Sequence, residues 1–326
     1  GYVLHGYSDN DRSSGDRAIV RSVFGPRRLR RGDYSIFLAS MKEVHRRRPA
    51  LTENFLEVAS LPGTLEMRDN INENFSRPGK DRVRMWYSDF DIVVDNFSLA
   101  AELAQEAGMR GILLDLEMYG GYFFDPRIQE DAQEQGKTTE EMMIRVRDCG
   151  RQVMHAMQEP FPGLTVFLFY GYKVAHHEHY RLIAPFLDGL IETAGPSVQI
   201  VDGYENYRIR SRDDFLKAYW SVHRGLRSRS AVPEAYREHV SAAFPVWPED
   251  NAHTANKKDD PTGFLFSYRE FQGVLVHALL ATDRYVWIYS EGGGRPTYPH
   301  WITGKNLPGS WIQAVQDARA EVDKKR

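Results

Sequence analysis

The sequence predicts an α/β protein: a (β/α)8 TIM barrel lacking its first β/α unit, laid out as a single domain over residues 1–326. Three observations lead there. Short apolar runs alternate with amphipathic helical stretches along the whole chain. Seven such runs occur, beginning near residues 2, 54, 111, 164, 198, 242 and 285, one fewer than an eight-stranded barrel needs. Most of the runs turn acidic or aromatic at the C-terminal end, the end where barrels of this kind carry their chemistry.

The elements follow in order. Tyr2 to Tyr7 reads as a strand from the start of the chain, so a further strand and helix are expected ahead of Gly1. Any signal peptide would lie there too; location stays open, with secretion or the periplasm favoured. Asp33 is the expected N-cap of a helix carrying Ile36, Phe37, Leu38, Met41 and Val44. Asn54–Val58 is the next strand, and the stretch from Leu61 to about Arg84 is long enough for a loop over one mouth of a barrel. Asp89 opens a helix with Val93, Phe97, Ala100, Ala104 and Ala107 at helical spacing, and Gly108 closes it.

Gly111–Tyr119 is a buried strand that becomes acidic at its end. Thr138 and Glu141 form a capping box for a helix lined by Met142, Val146, Cys149, Val153 and Met157. Strands are expected at 164–170 and 198–201, with a helix over about 179–194 between them. Ser211–Asp214 resembles a capping box, and Ser267–Glu270 is another, opening the helix 271–281. The runs 242–246 and 285–289 are the last strands, and 311–322 the final helix. An open doubly wound sheet is the rival arrangement, but the glycine-rich phosphate turn such sheets usually carry is missing from the sequence.

Composition narrows the partners. The formal net charge of −3 argues against a nucleic-acid or anionic membrane-surface partner, and the basic run Arg27, Arg28, Arg30, Arg31 is local. No stretch reaches the ~18 apolar residues of a membrane span. The single cysteine, Cys149, allows no intrachain disulfide and reads as a small core residue.

The strand ends hold the candidate chemistry. They offer His5, Tyr7 and Asp9; Asp115, Glu117 and Tyr119; Tyr170, Tyr172 and Lys173; Asp202, Tyr204, Glu205 and Tyr207; Trp247 and Glu249; and Trp287, Tyr289 and Glu291. Asp115, Glu117 and Tyr119 share one face if that strand stays extended. Carboxylates and large aromatics together suit a carbohydrate substrate: glycosidic cleavage needs two carboxyl groups, and aromatic faces stack on sugar rings.

The catalytic candidates are therefore Asp115, Glu117, Glu205 and Glu291, with Glu117 as general acid, Asp115 charged beside it and Glu205 or Glu291 as partner. The substrate-binding candidates are His5, Trp86, Tyr119, Tyr170, Tyr172, Asp202, Tyr204, Trp247, Trp287 and Tyr289. Structural roles compete: Asp115 or Glu117 pairing with a rim arginine, Glu205 bonding a backbone amide, Trp287 filling a barrel interior. His176, His177 and His179 read as a solvated helix start. No metal or other cofactor is expected, since the ligand-type residues lack zinc spacing.

At Leu114-Asp115-Leu116-Glu117-Met118-Tyr119, Asp202-Gly203-Tyr204-Glu205 and Trp287-Ile288-Tyr289-Ser290-Glu291 the chain resembles barrel-type glycoside hydrolases, nearest to uncharacterised bacterial members. The resemblance implies a glycosidase (EC 3.2.1.-) acting through strand-end carboxylates. The family's common Asn-Glu and strand-seven Glu are replaced here by Asp-Leu-Glu and Trp-Pro-Glu, which leaves the second carboxylate open. A metal-dependent sugar isomerase or lyase using His5, Glu117, Asp202 or Glu205 is an alternative. So is a carbohydrate-binding barrel without catalysis.

Overall fold

The structure, a computed structural model, describes residues 2–4, 19–25, 27–60, 83, 86–117, 124, 127–175, 180–249, 266–290, 299–301 and 304–325. The strands are β1 (Val3–Leu4), β2 (Phe55–Ala59), β3 (Gly111–Asp115), β4 (Thr165–Phe169), β5 (Gln199–Asp202), β6 (Val240–Ala242), β7 (Phe244–Val246) and β8 (Val286–Ile288). The longer helices are α1 (Ser35–Arg47), α2 (Phe90–Glu106), α3 (Arg127–Glu134), α4 (Thr139–Gln158), α5 (Ile183–Glu192), α6 (Arg212–Trp220), α7 (Pro233–His239), α8 (Tyr268–Ala281) and α9 (Gly309–Asp323).

Strands and helices alternate as the sequence predicts. The main sheet has six strands in the order β1-β2-β3-β4-β5-β6, with parallel pairing from β1 to β5. A second pair, β7 with β8, is also parallel. The predicted run 242–246 is thus two strands broken at Ala243. Pro245 lies within the second of them and has no N–H to give a ladder.

By its contacts the chain divides into two compact units, Gly1–Asp202 with Leu226–Val240, and Gly203–Gly225 with Ser241–Arg326. In the first, β3 and β4 are buried along their length and open only at the last residue. Such strands are covered on both faces, as parallel strands under helices are. Helix α4 packs on α2 and α5. It meets α5 backbone to backbone: a Cβ at Gly150 would stand 2.1 Å from the Phe186 carbonyl oxygen, and one at Gly189 would stand 2.0 Å from that of Arg147. Only glycine allows that approach.

The caps show where sequence signals hold. Thr138 and Ser267 both form full capping boxes with Glu141 and Glu270. Ser211 accepts the Asp214 N–H at 3.1 Å. Helix α2 ends as expected at Gly108, which bonds Gln105 while Met109 bonds Ala104; these bonds and the positive φ of 66° at Gly108 form a Schellman motif. Asp33, however, does not cap α1. It belongs to a 3₁₀ turn over Arg31–Tyr34, and the cap position falls on Tyr34. Asp89 stands at the N-cap of α2 without a side-chain cap bond.

Two arginines of the basic run are matched by acids on α2. Arg28 pairs with Asp91 and Asp95, and Arg31 with Glu102 at 3.2 Å and Glu106 at 2.5 Å. Cys149 is buried, its Sγ 3.6 Å from the Trp86 carbonyl oxygen, and burial pushes its thiol pKa up.

Candidate functional site

In the first unit the chemistry gathers where β3, β4 and β5 end. Strand β3 stops at Asp115, so the extended face expected beyond it is not kept at Glu117. The reason is local: Asp115 Oδ1 accepts the backbone N–H of Glu117 at 2.9 Å, a side-chain turn that competes with further extension. The Ser60 N–H bonds the Asp115 carbonyl at 2.8 Å, and Ser60 Oγ donates to the Glu117 carbonyl at 3.3 Å. The Glu117 side chain, partly exposed, accepts the Tyr170 hydroxyl on Oε1 at 2.6 Å.

Tyr170 follows the last residue of β4 and has a φ of 52°. A bulky residue in the left-handed region is strained by roughly 1–3 kcal/mol, and such strain collects at sites where a side chain must be aimed. The Tyr170 ring also lies 5.7 Å from that of Tyr180.

Three expected substrate contacts are interior groups instead. Trp86 is 0% exposed, stacked on Phe90 at 5.5 Å and edge-on to Phe124 at 5.6 Å and Phe186 at 6.2 Å. Tyr172 is 1% exposed; its hydroxyl donates to Asp188, and its ring meets Tyr236 edge-on at 5.3 Å. Burial, reinforced by the Asp188 charge, pushes the Tyr172 phenol pKa well up. Asp202 is 1% exposed and accepts the Tyr172 backbone N–H on Oδ2 at 3.2 Å. Sequence reasoning put all three at a strand end or in a loop, but their side chains point inward.

In the second unit aromatic rings converge. Tyr207 lies 5.2 Å from Trp247, 5.7 Å from Trp287 and 5.1 Å from Tyr289, measured between ring centroids. Trp247 and Tyr289 are 5.2 Å apart and nearly perpendicular. All four rings are half-buried, so each keeps part of its surface open. Strand pairing places them: Val246 and Ile288 are partners, and Tyr289 N–H bonds the Val246 carbonyl at 3.0 Å. The Trp287 indole donates to the Gly203 carbonyl at 3.1 Å. Tyr204 has a φ of 43° and meets Phe244 edge-on at 6.0 Å.

Two glutamates flank these rings. Glu205 accepts the Tyr207 hydroxyl. Glu249, only 2% exposed, accepts the Trp247 indole N–H at 3.3 Å and the Ser290 hydroxyl at 2.6 Å. Glu249, Tyr207 and Ser290 are the residues that sequence reasoning underweighted. Tyr207 stands two residues after Glu205, and Glu249 two after Trp247, a spacing that was visible but gave no reason to prefer them.

His5, Tyr7, Asp9, Tyr119, Glu291, the cluster His176, His177 and His179 and, apart from Val83, the expected loop from Leu61 to about Arg84 lie outside the described residues. Comparison with protein-family models gives no match, and no curated protein matches the chain. Among the described residues no group of three His, Cys, Asp or Glu is placed to hold a metal ion, and no helix is long and apolar enough to cross a membrane.

Proposed function

We propose that the chain is a (β/α)8-barrel glycoside hydrolase. The observation that carries this reading is the second unit's half-buried quartet Tyr207, Trp247, Trp287 and Tyr289, flanked by Glu205 and Glu249. Open aromatic surface stacks on the apolar face of a sugar ring, while Glu249, closed to solvent, anchors Trp247 through its indole N–H and Glu205 holds the Tyr207 hydroxyl.

For the first unit the proposal concerns Glu117. Its Oε1 is held by the Tyr170 hydroxyl, which orients the carboxyl group and leaves Oε2 to carry a proton to a glycosidic oxygen. Asp115 serves this group through its side chain, whose Oδ1 accepts the Glu117 backbone N–H and fixes the turn there. A carbohydrate is the proposed ligand, with no nucleic-acid partner.

Two assays test the reading. Turnover of a panel of aryl glycosides and polysaccharides by the intact chain tests catalysis itself. Binding of the same sugars without turnover would leave a carbohydrate-binding protein. Glu117→Gln is then assayed on an aryl glycoside with an activated leaving group and on an unactivated glycan. A proton donor is needed least by good leaving groups, so the loss should be large on the glycan and small on the activated substrate. Equal losses on both, or none on either, would remove Glu117 from that role.

A further inference from the structure

We infer that Asp202 is a positioning residue, whose buried carboxylate holds the Tyr170–Gly171–Tyr172 turn so that the Tyr170 hydroxyl is delivered to Glu117. The inference rests on the reading of Glu117 as proton donor.

The turn is clamped at separate points. Asp202 Oδ2 accepts the Tyr172 N–H at 3.2 Å. The same carboxylate lies against Gly171, where a Cβ would stand 2.7 Å from Oδ2 and 2.9 Å from Cγ. A side chain at residue 171 and the carboxylate of Asp202 therefore exclude each other. Tyr172 fixes the far end of the turn by donating its hydroxyl to Asp188, which also accepts Ser230 Oγ at 2.6 Å and the Ala231 N–H at 3.2 Å.

Between β4 and this clamp stands Tyr170, at a φ of 52° that a tyrosine does not adopt unless its surroundings over-determine it. On the near side, the Leu116 N–H bonds the Phe169 carbonyl at 3.3 Å, fixing the end of β4 against the segment that leads to Glu117. With both ends held, the Tyr170 hydroxyl falls 2.6 Å from Glu117 Oε1. At 1% exposure Asp202 is closed to substrate, so its effect passes through Tyr170.

The test is a double-mutant cycle on the full chain. Asp202→Ala, Tyr170→Phe and the pair are compared for kcat and KM on an aryl glycoside, with Asp202→Asn alongside, and a crystal structure of Asp202→Ala is determined. Each single variant should lower kcat by up to about a hundredfold, the scale of an ångström-sized misplacement, with KM little changed. The pair should fall no further than the worse single, because both remove one delivered hydroxyl. Asp202→Asn keeps an oxygen for the Tyr172 N–H and should recover most of the loss. In the Asp202→Ala structure Tyr170 should leave the positive-φ region and lose Glu117.

Independent losses that multiply, an unchanged kcat, or a Tyr170 still bonded to Glu117 in Asp202→Ala would overturn the inference. If Asp202→Ala does not fold, Gly171→Ala, whose Cβ displaces the carboxylate, takes its place in both measurements. A wild-type chain that turns over no glycoside would sink the reading of Glu117, while the variant's structure would still decide whether Asp202 positions Tyr170.

Discussion

Tyr172→Phe removes one oxygen atom from the interior of the first unit and separates the two roles open to this residue. If Tyr172 contacted a sugar, the change would weaken binding and leave stability alone. The structure requires the reverse. The ring is buried against Tyr236, a contact that phenylalanine keeps. What is lost is the hydroxyl donated to Asp188. Asp188 retains Ser230 Oγ at 2.6 Å and the Ala231 N–H at 3.2 Å, so the charge is not left bare. A hydrogen bond to a charged group contributes about 1.5–3 kcal/mol. Phenylalanine also avoids burying a phenol oxygen, which favours the lower half of that range. At about 2–4 °C per kcal/mol for a unit of this size, the melting midpoint should fall by about 3–9 °C. Asp188→Ala is harsher: it strips the acceptor from Tyr172, Ser230 and Ala231 together, at about 1–3 kcal/mol for each buried donor left unsatisfied. Urea titration followed by circular dichroism ranks the variants, and sugar affinity is measured on the same samples. An unchanged urea midpoint for Tyr172→Phe together with weakened sugar binding would refute the assignment.

Gly150→Ala sets helix propensity against packing. Alanine is worth about 1 kcal/mol more than glycine inside a helix, but the 2.1 Å approach to Phe186 forces α4 and α5 apart, at about 1–3 kcal/mol; a lowered thermal midpoint is expected, and a raised one would show that the helices give way freely. Trp247→Ala should weaken sugar binding about ten- to thirtyfold, equivalent to ~1.4–2 kcal/mol, read by calorimetry on the intact chain. Asp283 supplies a pH signature in the second unit. Burial opposes its charge, but His223 at 2.7 Å and the Ala242 N–H at 2.7 Å, with Tyr219, together hold its pKa below the ordinary value. Its contribution is therefore present above the unfolded aspartate pKa of about 3.9 and is lost as pH falls through the lower folded value. Between about pH 5 and pH 3 the urea midpoint of the wild type should drop more steeply than that of Asp283→Asn; parallel curves would show that Asp283 does not contribute in this way.

Strands were the most legible part of the fold because burial on both faces makes them continuous apolar runs. Gly111–Leu114 and Thr165–Leu168 are buried without a break, and the sequence shows each as an apolar block ending in a polar or aromatic residue. Capping boxes were legible because both partners sit three residues apart, so Thr138 with Glu141 and Ser267 with Glu270 carry their own geometry. The break at Ala243 was not. An apolar run reads the same whether it is one strand or two, and the choice rests on which neighbours pair with it: Phe244–Val246 ladders with Val286–Ile288, a contact about forty residues distant. The six-residue π-helix Ser221–Leu226 carries no local pattern that distinguishes it from an ordinary helical end.

The site was legible as a set of strand ends but not as a set of orientations. Asp115 and Asp202 look alike in sequence, each an acid closing an apolar run. One stays partly exposed and bonds the backbone two residues on; the other is sealed beneath a glycine of the neighbouring strand end. The difference lies in Gly171, a residue that reads as ordinary loop punctuation until its missing side chain is seen to admit a carboxylate. Tyr170 and Tyr204 make the same point more strongly. Positive φ is the province of glycine, and both positions hold tyrosine. Glycine would relieve roughly 1–3 kcal/mol of strain at each. At Tyr170 glycine would also delete the hydroxyl on Glu117, and at Tyr204 the ring against Phe244. Strain at the ends of β4 and β5 therefore marks positions where the side chain, rather than the backbone turn, has a partner to meet. At Tyr170 that partner is the Glu117 carboxylate.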